Sequence, residues 1–385
     1  MMAKSQGKSV KIVTTFLCII ALIAGFVGAG LAFININKVA SDVFVSGDFE
    51  VHFMELGNVY TGDCIYIRSG ETDILIDAGS RNDSATSIIE YVSQYATDGV
   101  LEYVIATHAD QDHISAFYST SKRQGIFEYF EVETIIEFAN TNKTGGANSV
   151  IGRYREARDE EVASGAKCYT ALECFNKSEE GAQRVYQISD GVEMEILYNY
   201  YYENYSSDEN NYSVCLMFNQ GDNHYLFTGD LEGEGEEHLV NFYNDPQNGF
   251  DPLPKCVLYK AGHHGSKTSS SAILMAQIQP EYVIVCCCCG TPEYTTNEEN
   301  KFPTQQFIDN IAPYTDNVYI PTMLDEITGH DSNDDPSSWT VKSMNGNIIF
   351  AVTDGKVTLN FSNNNTKLKD TDWFKENRVM PEAWR

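Results

Sequence analysis

A chain of 385 residues is long enough for one large α/β domain plus an anchor, and 42% hydrophobic residues is ordinary for a globular protein. The net charge of −29 disfavours a loose nucleic-acid binder, which needs basic faces that exchange counterions for phosphates. The acidity reads as a solubilising surface, although a local basic groove or bound cations would still admit a polyanion.

Met1–Lys11 is short and basic, with Lys4, Lys8 and Lys11. Residues 12–37 carry no charge and, as a helix, would exceed the roughly 30 Å hydrocarbon thickness of a bilayer. This predicts a transmembrane anchor or uncleaved signal. Gly30-Leu31-Ala32 would suit cleavage, which makes secretion the alternative. Residues 38–48 form a linker. Lysines before the span and acids after it place residues 1–11 in the cytoplasm and the main domain outside the cell, on a single-pass membrane protein.

Strands are expected at Val51–Met54, Cys64–Arg68 and Asp73–Ile76, then a helix from Asp83 or Ser84 to Tyr95. The apolar run Tyr103–Ala106 reads as a buried strand. It ends in Thr107-His108-Ala109-Asp110-Gln111-Asp112-His113. Two imidazoles and two carboxylates in six residues suit a borderline cation such as zinc or manganese. One turn cannot aim all four at one ion without strain, so a split is easier: His108 with Asp110, and Asp112 with His113. A helix is expected over Ile114–Lys122, a strand over Glu131–Phe138 and a helix over Ile151–Ala163. The arginines of that last helix interleave with acids and read as an ion-paired face. Strands Val185–Ile188 and Val192–Tyr198 lead into a stretch with five tyrosines in eight residues. It reads either as an aromatic platform or as a loop packed on its own rings.

Tyr225–Phe227 is an apolar strand ending in Thr228-Gly229-Asp230, and Val257–Lys260 is another, ending in Gly262-His263-His264-Gly265-Ser266-Lys267. All three motifs sit at strand ends, where α/β layers converge their chemistry. Helices are expected at Ser269–Gln279 and Phe302–Ile311. Glu281–Cys286 reads as a strand, and the run Cys286–Cys289 as its buried end, because neighbours on a strand face opposite sides. Disulfides would be permitted by export. Thr340–Met344, Gly346–Thr353 and Lys356–Phe361 suggest a closing meander, followed by a loosely held polar tail at 363–385.

His-x-Asp-x-Asp-His, Thr-Gly-Asp and Gly-His-His-Gly-Ser-Lys together resemble the metallo-β-lactamase family. The resemblance is strongest to the C-terminal domain of ComEC-type DNA-uptake proteins. Glu55–Cys64 loosely resembles that domain's opening Asp-Val-Gly-Gln-Gly-Asp motif. Asp73–Gly79 resembles the strand carrying its first Asp, and Asn210–Ser213 the Asn-rich start of a later strand. The resemblance implies an α/β fold, a four-layer αββα metallo-β-lactamase sandwich over residues 49–362, preceded by one transmembrane helix. It implies two divalent ions, zinc or manganese. One would take His108 and Asp110; the other would take Asp112, His113 and one of the His263-His264 pair, His263 being preferred because it directly follows the strand and its glycine. Asp230 would bridge them. Asp77 would orient the metal loop. His264, Ser266 or Lys267 would stand beside substrate and hold developing charge. Many relatives place a further His where this chain has Asn211 and Ser213, which leaves the first ion with fewer protein ligands. Two ions lower the pKa of a bridging water until hydroxide forms near neutral pH, with Asp110 and Asp112 among the catalytic groups.

The leading expectation is therefore a membrane-anchored extracytoplasmic metallohydrolase acting on phosphodiesters, whether DNA or a cell-envelope polymer. The alternatives are a hydrolase of small esters, thioesters or lactams, and a non-catalytic surface binding protein that retains the fold.

Overall fold

The computed structural model describes residues 48–327, 336–353 and 355–385. The expected basic segment and anchor, and all of the linker but Asp48, lie outside them. Among the described residues no helix is long and apolar enough to cross a membrane.

The first six strands are β1 (Phe49–Phe53), β2 (Ile65–Ser69), β3 (Thr72–Ile76), β4 (Val100–Ala106), β5 (Glu131–Glu137) and β6 (Lys167–Thr170). They lie side by side in chain order. β1 to β3 pair antiparallel, and β3 to β6 pair parallel. A second sheet contains β7 (Val185–Ser189), β8 (Val192–Ile196), β9 (Leu216–Gln220), β10 (Asn223–Phe227), β11 (Leu258–Lys260) and β12 (Tyr282–Ile284). The short β13 (Cys288–Cys289) leaves this sheet, and β14 (Val318–Tyr319) returns to its edge beside β12. β15 (Thr322–Ile327) and β16 (Trp339–Ser343) join β13 in a small third sheet. β17 (Ile348–Thr353) and β18 (Lys356–Phe361) extend the first sheet past β1. The expected meander is thus divided: its first strand pairs with β15, while the other two form a hairpin on another sheet.

Alternation along the strands creates the layers. Phe49 of β1 stacks on Tyr225 of β10 at 4.6 Å, and Phe53 faces Phe227 at 6.5 Å, so the two large sheets pack face to face. Leu226, between those two inward rings, points the other way into a second core. On the outer side of the first sheet lie α1 (Ser84–Val92), α2 (Gln111–Ile114), α3 (Ile126–Tyr129) and α4 (Val150–Ser164), while α5 (Ala171–Asn176) follows β6 and packs Phe175 on Tyr198 and Phe242, on the second sheet's side. Tyr91 and Tyr95, at and just past the end of α1, pack edge-on against His52 of β1. Over the second sheet, α6 (Gly233–Asn244), α7 (Ala272–Ile278) and α8 (Gln305–Ile311) bury Leu239, Met275 and Ile308 with Leu226 and Tyr259. The order helix, sheet, sheet, helix is the expected αββα sandwich.

Two local expectations are corrected. The helix expected over Ile114–Lys122 stops at Ile114, because the following backbone bonds elsewhere: Ala116 N–H donates to Ala78, and the Asn82 amide takes the carbonyls of Ser115 and Tyr118. The tail is not loose. It forms α9 (Asp372–Asn377), buries Leu368, Phe374 and Trp384, and anchors the Trp384 indole to the Thr315 carbonyl at 2.8 Å.

Candidate metal centre

Four strands deliver the site at their C-terminal ends. β3 leads to Asp77, β4 to Thr107 and His108, β10 to Asp230, and β11 to the His263-His264 pair. β3 and β4 are parallel neighbours in one sheet, as are β10 and β11 in the other, so all four ends open at one edge of the sandwich. Close approach is needed there. A Cβ on Gly79 would lie 1.4 Å from the Asp112 carbonyl oxygen, so only glycine lets the metal loop settle against the end of β3.

The imidazoles of His108, His113 and His264 converge on Asp230. His113 Nε2 and His264 Nε2 each lie 3.2 Å from Asp230 Oδ2, and the His108 and His113 rings are 4.0 Å apart. Ligand atoms close enough to share an ion occur in four triads: His108, His113 and Asp230; Asp112, His113 and His264; Asp63, Asp230 and His264; and Asp63, Asp77 and His113. The fit to a cation shows in the orphaned atoms. His108 Nε2 and His264 Nε2 are buried without a hydrogen-bond partner, a costly arrangement that a bound cation would relieve.

The far side of each ring is tied down. His113 Nδ1 meets Asp77 Oδ2 at 2.8 Å, and Asp77 also accepts Thr107 N–H and hydroxyl. His264 Nδ1 meets the Cys286 carbonyl at 2.7 Å, which makes Nδ1 the protonated nitrogen and leaves Nε2 free to ligate. Burial, with His113 beside it, holds His108 neutral, well below the ordinary imidazole range. Burial opposes charge on His113 and His264 as well, but Asp230 outweighs it, with Asp77 on the first and Asp63 on the second, and both are raised.

His263, the expected ligand, lies outside the cluster; it faces Thr268 and Glu232, and His264 occupies the place foreseen for it. Both histidines have left-handed backbones, with φ of 42° and 53°, and this strained turn decides which ring points inward. Asp112 joins a triad. Asp110 joins none: it pairs with Lys143 and reaches His108 Nε2 at 3.6 Å. Ser213 accepts the Asp230 N–H, and Asn211 accepts that of Glu232, so both brace the loop holding Asp230. Ser266 bonds Thr268, and Lys267 extends outward to Asn300, away from the cluster. Four of the five tyrosines in the stretch pack on one another and on α6: Tyr198 stacks on Phe242 and Tyr200 on His238, and Tyr201 and Tyr202 are buried, while Tyr205 is 79% exposed.

Three participants escaped the sequence reading. Asp63 belongs to two triads; its only signal was its place in the loosely matched opening motif. Lys260, wholly buried, contacts Asp63 and lies 3.3 Å from Asp230 Oδ1; burial opposes its charge, but the two carboxylates keep it protonated. Glu209 accepts from Ala109 N–H, Asn142 N–H and the Thr141 hydroxyl, stitching two loops to the metal loop.

Residues 57–129 match the model of the metallo-beta-lactamase superfamily. ComE operon protein 3 of Bacillus subtilis (strain 168) is 28% identical over 185 residues, 48% of this chain and 20% of that protein. Competence protein ComA of Neisseria gonorrhoeae is 26% identical over 265 residues, 69% of this chain and 29% of that protein. The chain therefore spans less than a third of the length of these relatives. Among solved structures, the metallo-beta-lactamase fold protein YhfI from Bacillus subtilis superposes with a TM-score of 0.38 at 10% identity, covering 71% of this chain and 95% of that one.

Proposed function

We propose, from the match of residues 57–129 to the metallo-beta-lactamase superfamily model, that this chain is a metal-dependent hydrolase of phosphodiesters. The observation that carries the reading is the pair of buried, partnerless nitrogens, His108 Nε2 and His264 Nε2, in the same cluster as Asp230. His108, Asp112, His113, Asp230 and His264 would hold the ions, with Asp63 beside them and Asp110 at the rim. Divalent ions held there would activate water near neutral pH and neutralise charge on the scissile group.

The remaining groups prepare the site. Asp77 and the Cys286 carbonyl fix the imidazole tautomers. Lys260 occupies Asp230 Oδ1 and leaves Oδ2 facing the imidazoles. His263, partly exposed beside Glu232, is the imidazole left over for proton transfer to a departing oxygen. DNA and a cell-envelope polymer share the phosphodiester chemistry; similarity to a protein named for competence supports DNA. The net charge of −29 instead favours a small substrate, and hydrolysis of small esters, thioesters or lactams is the second reading. Placement outside the cell on a membrane anchor rests on residues 12–37 and is tested by fractionation and protease accessibility.

The deciding experiment measures metal content and hydrolysis together, with bis(p-nitrophenyl) phosphate and single-stranded DNA as substrates, zinc or manganese added, and Asp112→Ala and His113→Ala as controls. Turnover lost in both variants supports the metallohydrolase. Metal bound without phosphodiester turnover rejects the substrate class, and turnover of a thioester or lactam would install the second reading. A protein that takes up no metal is left as a binding protein.

A further inference from the structure

Tyr294 reaches the cluster from an exposed segment, unlike its buried supports. Asp63 and Asp77 meet the imidazoles from within the core. The Tyr294 hydroxyl instead donates to Asp112 Oδ2 at 2.5 Å, while the residue remains 51% exposed. Of the exposed large apolar side chains among the described residues, it is the one bonded to a member of a metal triad. Its ring lies 5.6 Å from Phe302, whose ring lies 6.1 Å from His264, so an aromatic wall runs from the solvent to the centre. The neighbouring Glu293 pins this segment: its carboxylate accepts the Thr61 N–H at 2.7 Å and the Arg81 guanidinium at 2.8 Å.

We propose that Tyr294 is a catalytic residue that touches substrate, and that the substrate carries a planar ring next to its phosphoryl group, as a nucleotide does. This rests on the phosphodiesterase reading. Asp112, when it holds a cation, would have its Oδ2 less available to the Tyr294 phenol. The hydroxyl then turns to a phosphoryl oxygen, keeping its proton and donating a hydrogen bond. The exposed ring face stacks on the base. The phenol oxygen is engaged at the cluster while half of the residue's surface stays open to solvent.

The test uses the full chain loaded with manganese, and Tyr294→Phe and Tyr294→Ala. Metal content is measured by mass spectrometry, turnover with a dinucleotide, and binding of deoxyadenosine monophosphate and of inorganic phosphate by calorimetry. Both variants should keep the wild-type metal content. Tyr294→Phe should lose turnover by about tenfold, the scale of one hydrogen bond to a charged group, and keep the preference for nucleotide over phosphate. Tyr294→Ala should also lose that preference, by about tenfold. Loss of metal from Tyr294→Phe would make the residue a support for the ions and overturn the inference. So would a preference unchanged in Tyr294→Ala, or absent from the wild type. A wild type that binds metal and prefers the nucleotide but hydrolyses nothing sinks the phosphodiesterase reading alone, since the binding comparison still reports on Tyr294.

Discussion

His263 and His264 differ by one position and by nearly everything that matters to a ligand. His264 is buried, has Nδ1 committed to the Cys286 carbonyl and presents Nε2 to Asp230. His263 is partly exposed and turned toward Thr268. His264→Ala should therefore lose metal and at least ~100-fold in turnover, the scale on which a missing ligand or its support acts. His263→Ala should keep its metal and lose turnover only. Metal analysis of the two variants side by side checks this; equal metal loss in both would refute the assignment. The residue types of the centre were legible because each motif is local in the chain. The choice within the pair was not, because two consecutive left-handed residues decide it. Lys260 and Asp63 were hidden for another reason: their meaning depends on a contact across some 200 positions of chain, which no local pattern encodes.

Among the elements, α6 shows how an acidic helix start takes on a structural task. Glu234 and Glu236 fall in its first turn, where the helix dipole favours acids. Glu236, however, is fully buried and accepts the N–H groups of Ser270 and Ser271, both at 2.7 Å, fastening the segment that follows the histidine pair. Burial outweighs those bonds and pushes its carboxyl up to about 7. The native state then keeps a proton that the unfolded chain gives up near pH 4.5. This contribution to stability is full below pH 4.5 and falls as pH rises toward 7, by about 3 kcal/mol in all. Urea unfolding at pH 5 and pH 7 should show the fall, and Glu236→Gln should flatten it; a slope that survives the substitution would exclude Glu236 as its source. The missed ends of elements have a common cause. Ser115 and Ala116 suit a helix but bond to Asn82 and Ala78 instead, and the polar tail carries just enough large apolar residues to dock.

At the scale of the whole molecule, the sandwich was legible in outline because alternating and continuous apolar runs mark the strands of its two large sheets. Partnership was harder. Nothing in Thr340–Met344 distinguishes pairing with β15 from pairing with the hairpin that follows it, and a strand order with β17 beside β1 joins the two ends of the described chain. Lys143, Lys260 and Arg81 offset part of the acidity in and beside the centre, pairing with Asp110, Asp63 and Glu293.

The nine described cysteines are all unpaired, and all but Cys168 are buried. Burial pushes even the Cys168 thiol up to about 12, which leaves little thiolate to react at neutral pH. Export would permit disulfides, but none joins the described residues. The melting temperature should accordingly be the same with and without dithiothreitol, and iodoacetamide should label the native protein only slowly. A shift of several degrees on reduction would contradict this. Sheets held together without disulfides among the described residues should be equally stable in oxidising and reducing surroundings.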